Sequence, residues 1–572
     1  MCGIIGYIGI RDAQEVLEDG LSKLEYRGYD SSGIAVLDEE KLEIKKDTGL
    51  VNDLMAEEFY QGKIGIGHTR WATHGGVTRK NAHPHVCCNE EVAVVHNGII
   101  ENHDELKNRL AHHNFTSETD TEIIPHFIEE KVEEGESVKE ALKELQQIIE
   151  GTYAVLAVRK EHQKIYATKQ KSPLAIGHSD GEMFVASDIY AFSGYTNEAS
   201  FLEDGDIAVV DSEGHKVFSS SGEEVERKTR EFEWEEKTDL GEEFDHHMIK
   251  EIHEQPKSVE RLIKSFESQQ KKDFRELANL IESSDRVVLT AAGTSYHSSL
   301  IGERLLREHG VDARAYVASE FEARNLGENT LVIAVSQSGE TMDVLDSIEK
   351  ASVKGCKISS IVNVPHSTIQ RKSDTDIEIM AGQEICVAST KTYTNQVLSF
   401  YLLSGLLGRE IDTSSLSENL ERTIKENIEI AKIYAERFKD QSDIYVLGRN
   451  EMFPVAREIA LKLKEISYVH AEGLRGGELK HGTLALIEEG TPVLSLMPSK
   501  EGKINSNVEE VESRDAESIR LSPHFGGFDI PDDGFLPIHF ATVGFLLTYF
   551  TAKNKELPID KPRNLAKSVT VR

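Results

Sequence analysis

The chain has 572 residues, with 65 Lys and Arg against 100 Asp and Glu, which gives a net charge of −35. At roughly 100–200 residues per domain, this length predicts about three to five domains. The negative charge argues against nonspecific binding to nucleic acid or to an anionic membrane, since both require a positive field. Five cysteines, odd in number and unevenly spread, argue against a disulfide framework and predict a reducing, cytoplasmic location.

Short apolar runs separated by turn residues dominate the first part of the chain. They lie at 63–67, 91–95, 151–158 and 206–210. Such a pattern is typical of a mixed α+β layered domain. The sequence therefore predicts a first domain over residues 1–217.

A charged segment and a repeated strand–helix pattern follow. Residues 218–276 are predicted to be a charged linker with lead-in helices. Beyond them strands alternate with helices, which predicts parallel sheets. Two buried strand-like runs, near 287 and 331, have counterparts near 445 and 493. This repetition predicts an internal duplication of two α/β units, 277–412 and 434–572.

The longest apolar stretches predict no membrane span. Residues 397–407 and 540–550 are each shorter than the roughly 20 residues that a helix needs to cross a bilayer. The first residues also lack the basic and apolar regions of a signal peptide. We therefore expect no membrane partner.

Cys2 follows the initiator methionine directly. If Met1 is removed, the thiol and a free α-amine belong to one residue, and an amine of pKa about 7.7–8.0 can act as the general base of the thiol. Taken alone, this placement could also be chance. An acyl-transfer nucleophile needs oxyanion donors and groups that orient the substrate, and the motifs at 68–75, 96–102 and 117–122 offer them.

Together with residues 1–4 and 24–33, these motifs resemble the class II glutamine amidotransferases of the N-terminal-nucleophile type. The resemblance implies a layered αββα fold with Cys2 as the nucleophile that attacks the glutamine amide. The other implied roles are an oxyanion hole formed by Asn97 and Gly98, binding of the glutamine α-carboxylate by Arg70 and of its α-ammonium by Asp120, and a pocket lined by Trp71, Thr73 and His74.

The run 83–88 holds two histidines and two cysteines, which raises the alternative of a metal site. Its spacing fits none of the usual zinc patterns, and buried cysteines are commonly small hydrophobes. The pairs at 112–113 and 246–247 are interpreted as solvated or structural histidines. The sequence therefore predicts no metal.

A hydroxyl-rich turn, residues 336–341, follows the strand at 331–335 and leads into a helix. Hydroxyls and backbone N–H groups at a helix N-terminus can bind a phosphate without a basic patch. An ordinary helix cap is the alternative, and a second hydroxyl turn at 293–296 favours the phosphate site. Walker and dinucleotide motifs are absent, so neither ATP nor NAD is predicted.

Lys462 and Glu465 are three residues apart and share one helical face. They could form a surface ion pair of little energetic consequence, or a carboxylate and a lysine that move protons on a sugar. The sequence alone leaves both interpretations open.

These motifs, with those at 387–391 and 564–571, resemble the isomerase half of the glutamine–fructose-6-phosphate aminotransferase family, and the resemblance runs essentially end to end. It implies two sugar-isomerase domains, glutamine and fructose 6-phosphate as substrates, ammonia passed through an internal channel, no cofactor, and a homodimer formed through the isomerase domains. The implied phosphate-binding residues are Ser295, Ser336, Gln337, Ser338, Thr341, Val387 and Ser389. The implied catalytic residues are Glu465 as base, His481 for ring opening from across the dimer contact, Lys567 for the Schiff base, and Lys462 in support.

Three positions depart from the family pattern, namely Ala291, Thr483 and Arg572, and none removes an expected catalytic group. Two alternatives remain: a sugar-phosphate-binding regulator that has lost turnover, and an amidotransferase that acts on another phosphosugar. The presence of Cys2 and Lys567 argues against a regulator, which needs only the phosphate site.

Overall fold

A computed structural model describes residues 2–38, 41–55, 61–232, 240–241, 243–324 and 326–568. The chain divides into two compact units, one of Met1–Glu236 with Ser568–Arg572 and one of Lys237–Lys567. Within those described ranges, no helix is both long and apolar enough to cross a membrane.

The first unit is built from two sheets and the helices that cover them. Its strands are β1 Gly3–Ile8, β2 Ser31–Leu37, β3 Leu42–Thr48, β4 Ile64–Arg70, β5 His85–Val86, β6 Val92–Ile100, β7 Gly151–Arg159, β8 Ile165–Gln170, β9 Ala175–Ser179, β10 Glu182–Ala186, β11 Glu198–Phe201, β12 Ile207–Asp211, β13 Gly214–Phe218, β14 Glu224–Val225 and β15 Thr229–Glu231. Its helices are α1 Ala13–Leu24, α2 Val51–Met55, α3 His103–Arg109, α4 Ile123–Glu133 and α5 Val138–Ile148.

Both sheets of this unit are antiparallel, with orders β15-β11-β9-β10-β1-β4-β2-β3 and β14-β13-β12-β8-β7-β6-β5. Successive side chains of a strand point to opposite faces. In β1, Ile4 packs into the core between the sheets, whereas Ile5 packs with Leu17 of α1. In β6, Val95 lies between the sheets and Val94 packs under α4 and α5. The αββα layering is therefore confirmed.

The second unit contains two parallel sheets and ten helices within the described residues. Its strands are β16 Arg286–Ala291, β17 Ala313–Val317, β18 Thr330–Ser336, β19 Lys357–Val362, β20 Thr375–Glu378, β21 Asp443–Gly448, β22 His470–Arg475, β23 Pro492–Leu496 and β24 Glu517–Leu521. Its helices are α6 His247–Glu267, α7 Lys271–Ser283, α8 Gly293–Glu308, α9 Met342–Ser352, α10 Thr368–Arg371, α11 Lys391–Leu406, α12 Leu416–Phe438, α13 Met452–Ser467, α14 Ile504–Glu512 and α15 Leu536–Asn554.

The strand orders support the predicted duplication. They are β17-β16-β18-β19-β20 in one sheet and β22-β21-β23-β24 in the other, so the second sheet repeats the order of the first four strands. All neighbours are parallel. One continuous apolar core takes Leu289 from the first sheet and Val446 from the second. The two copies are therefore packed as one body.

The predicted domain limits remain predictions, but several elements lie across them. The strands β14 and β15 fall in the segment predicted as linker, and they pair with β13 and β11 of the first unit. Helix α7 spans residue 277. Part of the predicted linker, residues 233–239 and 242, lies outside the described residues.

Candidate active sites

Cys2 lies beside the end of β4 because β1 and β4 pair antiparallel, with Gly3 opposite Thr69. Its Sγ accepts the N–H of Trp71 at 3.3 Å and lies 3.6 Å from the Trp71 carbonyl oxygen. Burial raises the pKa of the thiol, and the terminal charge, this N–H and Arg70 act in the opposite direction. The thiolate therefore needs a nearby base or cation in order to form at neutral pH.

Asn97 and Gly98 are consecutive residues near the end of β6, and Asn97 contacts Cys2. The Asn97 Nδ2 donates to the Cys2 carbonyl oxygen at 2.9 Å. Gly98 has a φ of +139°, and a Cβ at this position would lie 1.9 Å from the Thr152 carbonyl oxygen. Only glycine fits there without moving the neighbouring strand. This geometry brings together the two residues expected to form the oxyanion hole.

Arg70 and Asp120 flank the same region. The Arg70 guanidinium donates to the carbonyl oxygens of His74 and of Gly76, the latter at 3.2 Å, and so holds the loop that follows β4. The Asp120 Oδ2 accepts the N–H of Ile100 at 2.7 Å. Asp120 is therefore fixed at the end of the strand that carries Asn97 and Gly98.

The other expected pocket residues lie on the loop that Arg70 holds. Trp71 is half-buried and its ring meets the Tyr29 ring edge-on at 5.6 Å. Thr73 is exposed. The His74 ring packs edge-on against His103 at 5.3 Å.

In the second unit, β16 and β18 are neighbours, and the connections that follow them leave from the same edge of the sheet. The strand order reverses at this pair, which is the position where parallel α/β sheets bind ligands. The Ser336 Oγ lies 3.0 Å from the Thr341 Oγ1 and accepts the Gly339 N–H at 3.1 Å.

The remaining residues of the turn 336–341 complete a hydroxyl-rich loop, which we call the hydroxyl cradle. The Ser338 Oγ accepts the Glu340 N–H at 3.2 Å, and Gln337 is half-buried. Thr341 precedes α9, but its side chain makes no capping hydrogen bond. This observation favours a phosphate cradle over the ordinary helix cap.

The first turn of α8 contributes the neighbouring hydroxyls. The Ser295 Oγ accepts from the Gln396 Nε2 at 2.9 Å. The Thr294 Oγ1 donates to the Glu458 Oε1 at 3.0 Å and accepts from the Lys462 Nζ at 2.8 Å. One hydroxyl therefore connects the β16–α8 turn to helix α13 of the second copy.

Lys462 is a buried cation between two carboxylates. Its Nζ lies 2.8 Å from the Glu465 Oε2 and 3.2 Å from the Glu458 Oε1, and the exposed fractions of the three side chains are 1%, 19% and 0% in that order. Burial lowers the pKa of Lys462, but the two negative charges outweigh it and the net shift is upward. The pair is therefore not the surface ion pair that the sequence left open.

Lys567 is buried on the C-terminal segment. Its Nζ donates to the Glu384 carboxylate, to the Cys386 carbonyl oxygen at 2.8 Å and to the Ser389 Oγ at 3.3 Å. The Val387 N–H donates to the Asp560 carbonyl oxygen at 3.1 Å, which docks this segment on the same loop. The structure therefore brings together Lys567 and two of the expected phosphate-site residues.

Burial raises the pKa of Glu384, but the charge and hydrogen bond of Lys567 and the Thr390 N–H outweigh it and bring this pKa to about 2. Glu384 is therefore a carboxylate at neutral pH. It fixes the amine of Lys567 by charge as well as by position.

Known proteins match both halves of the chain. The glutamine amidotransferase domain family matches residues 68–194, and the SIS domain family matches residues 280–404 and 437–522. A glutamine–fructose-6-phosphate aminotransferase (isomerizing) from Thermococcus kodakarensis is 41% identical over 100% of both chains, and one from Halobacterium salinarum is 40% identical over the same share. The C-terminal domain of the aminotransferase from Francisella tularensis is 30% identical and covers 57% of this chain and 100% of its own, with a TM-score of 0.50.

The chain belongs to the glutamine–fructose-6-phosphate aminotransferase (isomerizing) family. Membership over the full length agrees with the end-to-end resemblance found in the sequence. It also assigns the duplicated parallel sheets to SIS domains.

The family motifs do not include every buried group near these sites. Burial and the charge of Glu384 raise the pKa of Glu251 to about 8, although Lys391 and Lys567 lower it. Glu251 lies on α6, in the segment predicted as linker, and its carboxylate accepts the Cys386 N–H at 3.2 Å. Sequence reasoning missed it because its partners are more than 100 residues away.

A layer of buried histidines lies behind the glutamine site. His68 stacks on His83 at 3.9 Å, and the Thr121 Oγ1 lies 2.9 Å from both the His83 Nε2 and the His96 Nδ1. Burial lowers the pKa of His68, His83, His85 and His96. These rings are therefore neutral at neutral pH, and two of them, His68 and His96, lie in the strands that carry Arg70 and Asn97.

The contacts described so far do not include His481 or the positions where the sequence departs from the family pattern. His481 is exposed at the end of the 3-10 turn Gly476–His481, and no hydrogen bond among the described residues joins it to Lys462 or Glu465. Ala291 is buried at the end of β16 and Thr483 begins a further 3-10 turn. Arg572 lies outside the described residues.

Proposed function

We propose that the chain transfers the amide nitrogen of glutamine to fructose 6-phosphate and forms glutamate and glucosamine 6-phosphate, the first step of amino-sugar synthesis. The observation that carries this proposal is the buried amine of Lys567, held by Glu384 and Ser389 in the unit that also contains the hydroxyl cradle. A regulator that only binds a sugar phosphate needs no such amine.

In the glutaminase half, Cys2 attacks the side-chain amide of glutamine and forms a thioester. The amide nitrogen leaves as ammonia, and water then hydrolyses the thioester to glutamate. Asn97 and the Gly98 N–H stabilise the oxyanion of each tetrahedral intermediate. Removal of Met1 frees the α-amine of Cys2, which accepts the thiol proton.

In the isomerase half, the hydroxyl cradle holds the phosphate and Lys567 condenses with the C2 carbonyl of the open-chain sugar, with loss of water. Ammonia displaces the lysine from this imine. Glu465 then takes a proton from C1 and returns it to C2, which yields the 2-amino aldose. Lys462 orients Glu465, since its Nζ lies 2.8 Å from the Glu465 Oε2.

The direct test incubates the purified protein with glutamine and fructose 6-phosphate and measures glutamate and glucosamine 6-phosphate separately. Cys2→Ala should abolish glutamate release while ammonia still supports amino-sugar formation. Cys356→Ala is the matched control, because this thiol is buried in the second unit. Loss of both reactions in Cys2→Ala would contradict the division of labour.

The sugar half is tested with Lys567→Met and with Lys553→Met as the control. Lys553 pairs with Asp245 on the surface, whereas Lys567 is buried. Only Lys567→Met should lose amino-sugar formation from ammonia. If the unaltered protein binds fructose 6-phosphate but forms no product, the regulator is supported. If it aminates a different phosphosugar, the second alternative is supported.

We further propose a cytoplasmic homodimer in which the partner completes each sugar site with its His481. The exposed position of His481 and the free state of all five cysteines support this proposal. Mixing inactive His481→Ala and Lys567→Met chains should restore about a quarter of the activity, since each heterodimer has one intact site. No recovery after verified mixing would refute the shared site.

A further inference from the structure

Four metal-binding side chains from three separate segments meet in the first unit. Cys88 lies in the turn between β5 and β6, and His113 lies in the turn after α3. His126 and Glu129 are three residues apart on α4 and share one face of this helix. One ligand atom from each side chain lies within 4.8 Å of all the others.

The distances between these atoms match the edges of a tetrahedral zinc site. The Cys88 Sγ is 3.6 Å from the Nδ1 of His113 and 3.6 Å from that of His126. The Glu129 Oε2 is 3.1 Å from the first nitrogen and 3.6 Å from the second. With Zn–S near 2.3 Å and Zn–N or Zn–O near 2.0–2.1 Å, tetrahedral edges are about 3.6 Å for S–N and about 3.3 Å for N–O.

Surrounding groups orient these side chains as ligands. The Asn114 N–H donates to the Cys88 Sγ at 3.3 Å, and the Cys88 N–H donates to the Glu129 Oε2 at 3.0 Å. The Nε2 of His126 is 3.8 Å from a Glu122 carboxylate oxygen, and it makes no hydrogen bond to any described group. Carboxylates near the outer ring nitrogen are characteristic of metal-ligating histidines.

We propose that Cys88, His113, His126 and Glu129 bind one structural zinc ion. A thiolate with two imidazoles and a carboxylate selects zinc over the harder calcium and magnesium, and four protein ligands close the coordination sphere. The exposed fractions of the His126 and Glu129 side chains are 1% and 3%, so most of the site is shielded from water. The proposed glutamine and sugar reactions use none of these four residues.

Such an ion would connect the β5–β6 turn to α4 and to the turn after α3. The segment between His113 and His126 carries Asp120, to which the family resemblance gives the binding of the glutamine α-ammonium. Zinc therefore restricts both ends of this segment. Its loss should raise the KM for glutamine and lower the stability of the first unit, without affecting the ammonia-dependent sugar reaction of the second.

The test strips the full-length protein with a chelator and titrates it with Zn²⁺, and separately with Co²⁺. We expect about one ion per chain and, with cobalt, the intense ligand-field bands of a tetrahedral site plus a thiolate charge-transfer band. Cys88→Ala and His126→Ala should lose bound zinc. His112→Ala is the matched control, because His112 is exposed and pairs with Glu130 beside the site.

The results separate the proposal from its competitors. Failure of the stripped protein to bind zinc, or a cobalt complex without a thiolate band, would overturn it. Zinc lost in His112→Ala but kept in Cys88→Ala would place the ion on the other nearby group, His112, His113 and Glu130, and would also overturn it. The cobalt spectrum of the unaltered chain needs no variant to fold, and zinc binding is independent of whether the chain makes amino sugar.

Discussion

Replacement of Lys462 by Met gives a quantitative test of the buried charge cluster. Met retains much of the length of the side chain but removes the ammonium. Glu458, which is fully buried, loses a cation 3.2 Å away and keeps only its bonds to His297 and Thr294. Removal of one partner from a buried ion pair costs about 3–5 kcal/mol because the other charge stays buried. The loss of the Lys462–Glu465 pair adds little to this cost, because the Glu465 side chain is partly exposed.

The assay unfolds the protein in guanidinium. Hydrogen exchange in peptides from α13 measures the unfolding of the second unit. In a Trp234→Phe background, Trp71 of the first unit is the remaining tryptophan, so its fluorescence monitors that unit as an internal control. Lys462→Met should lower the unfolding free energy of the second unit and leave the fluorescence transition unchanged.

A second substitution separates charge from packing. In the Lys462→Met background, Glu458→Gln removes the uncompensated charge but keeps hydrogen-bonding capacity, so it should recover much of the lost stability. The reasoning is refuted if Lys462→Met costs less than about 1 kcal/mol, which is the range of exposed pairs. It is also refuted if the double variant is no more stable than Lys462→Met alone.

Three further predictions concern single residues. Gly98→Ala should abolish glutamate release and keep ammonia-dependent synthesis, because its Cβ would meet the Thr152 carbonyl oxygen at 1.9 Å; normal glutamate release would refute this. Thr341→Ala should raise the KM for fructose 6-phosphate while changing stability by only about 0.5–1.5 kcal/mol, since Thr341 makes no capping bond; an unchanged KM would contradict the cradle. The folded pKa of Glu251, about 8, exceeds its ordinary 4.5, so the folded state holds an extra proton between these values and stability falls as pH rises through them. Glu251→Gln should therefore remove this fall in pH-dependent unfolding, and an unchanged pH dependence would argue against it.

The buried runs near 287, 331, 445 and 493 correspond to β16, β18, β21 and β23, because a strand covered on both faces is apolar throughout, whereas the central strand β19 was not predicted. The edge strands β17 and β22 were not predicted, because they mix buried and exposed residues and so do not form continuous apolar runs. The short strands β14 and β15 lie in a charged segment whose composition does not indicate strands. They form because they pair with β13 and β11.

Site residues in contiguous motifs could be predicted, and those brought in by folding could not. The turn 336–341 carries its chemistry within six residues. Glu458 pairs with Lys462 at a local i,i+4 spacing, but its bond to His297 and the bond of Glu384 to Lys567 join distant parts of the chain, which no local pattern encodes.

The expectation of no metal stays a prediction, which the proposed zinc site would overturn. The run 83–88 was considered as one local motif, whereas in the structure only its last cysteine lies near His113, His126 and Glu129. No spacing rule for short zinc motifs covers ligands so far apart in the sequence.

The shared core of the second unit limits how its two copies can evolve. The first copy supplies the hydroxyl turn and the second supplies Lys462 and Glu465, while a single apolar interior joins both sheets. Separating the two halves would therefore divide the chemistry and expose the shared apolar interior in a single step.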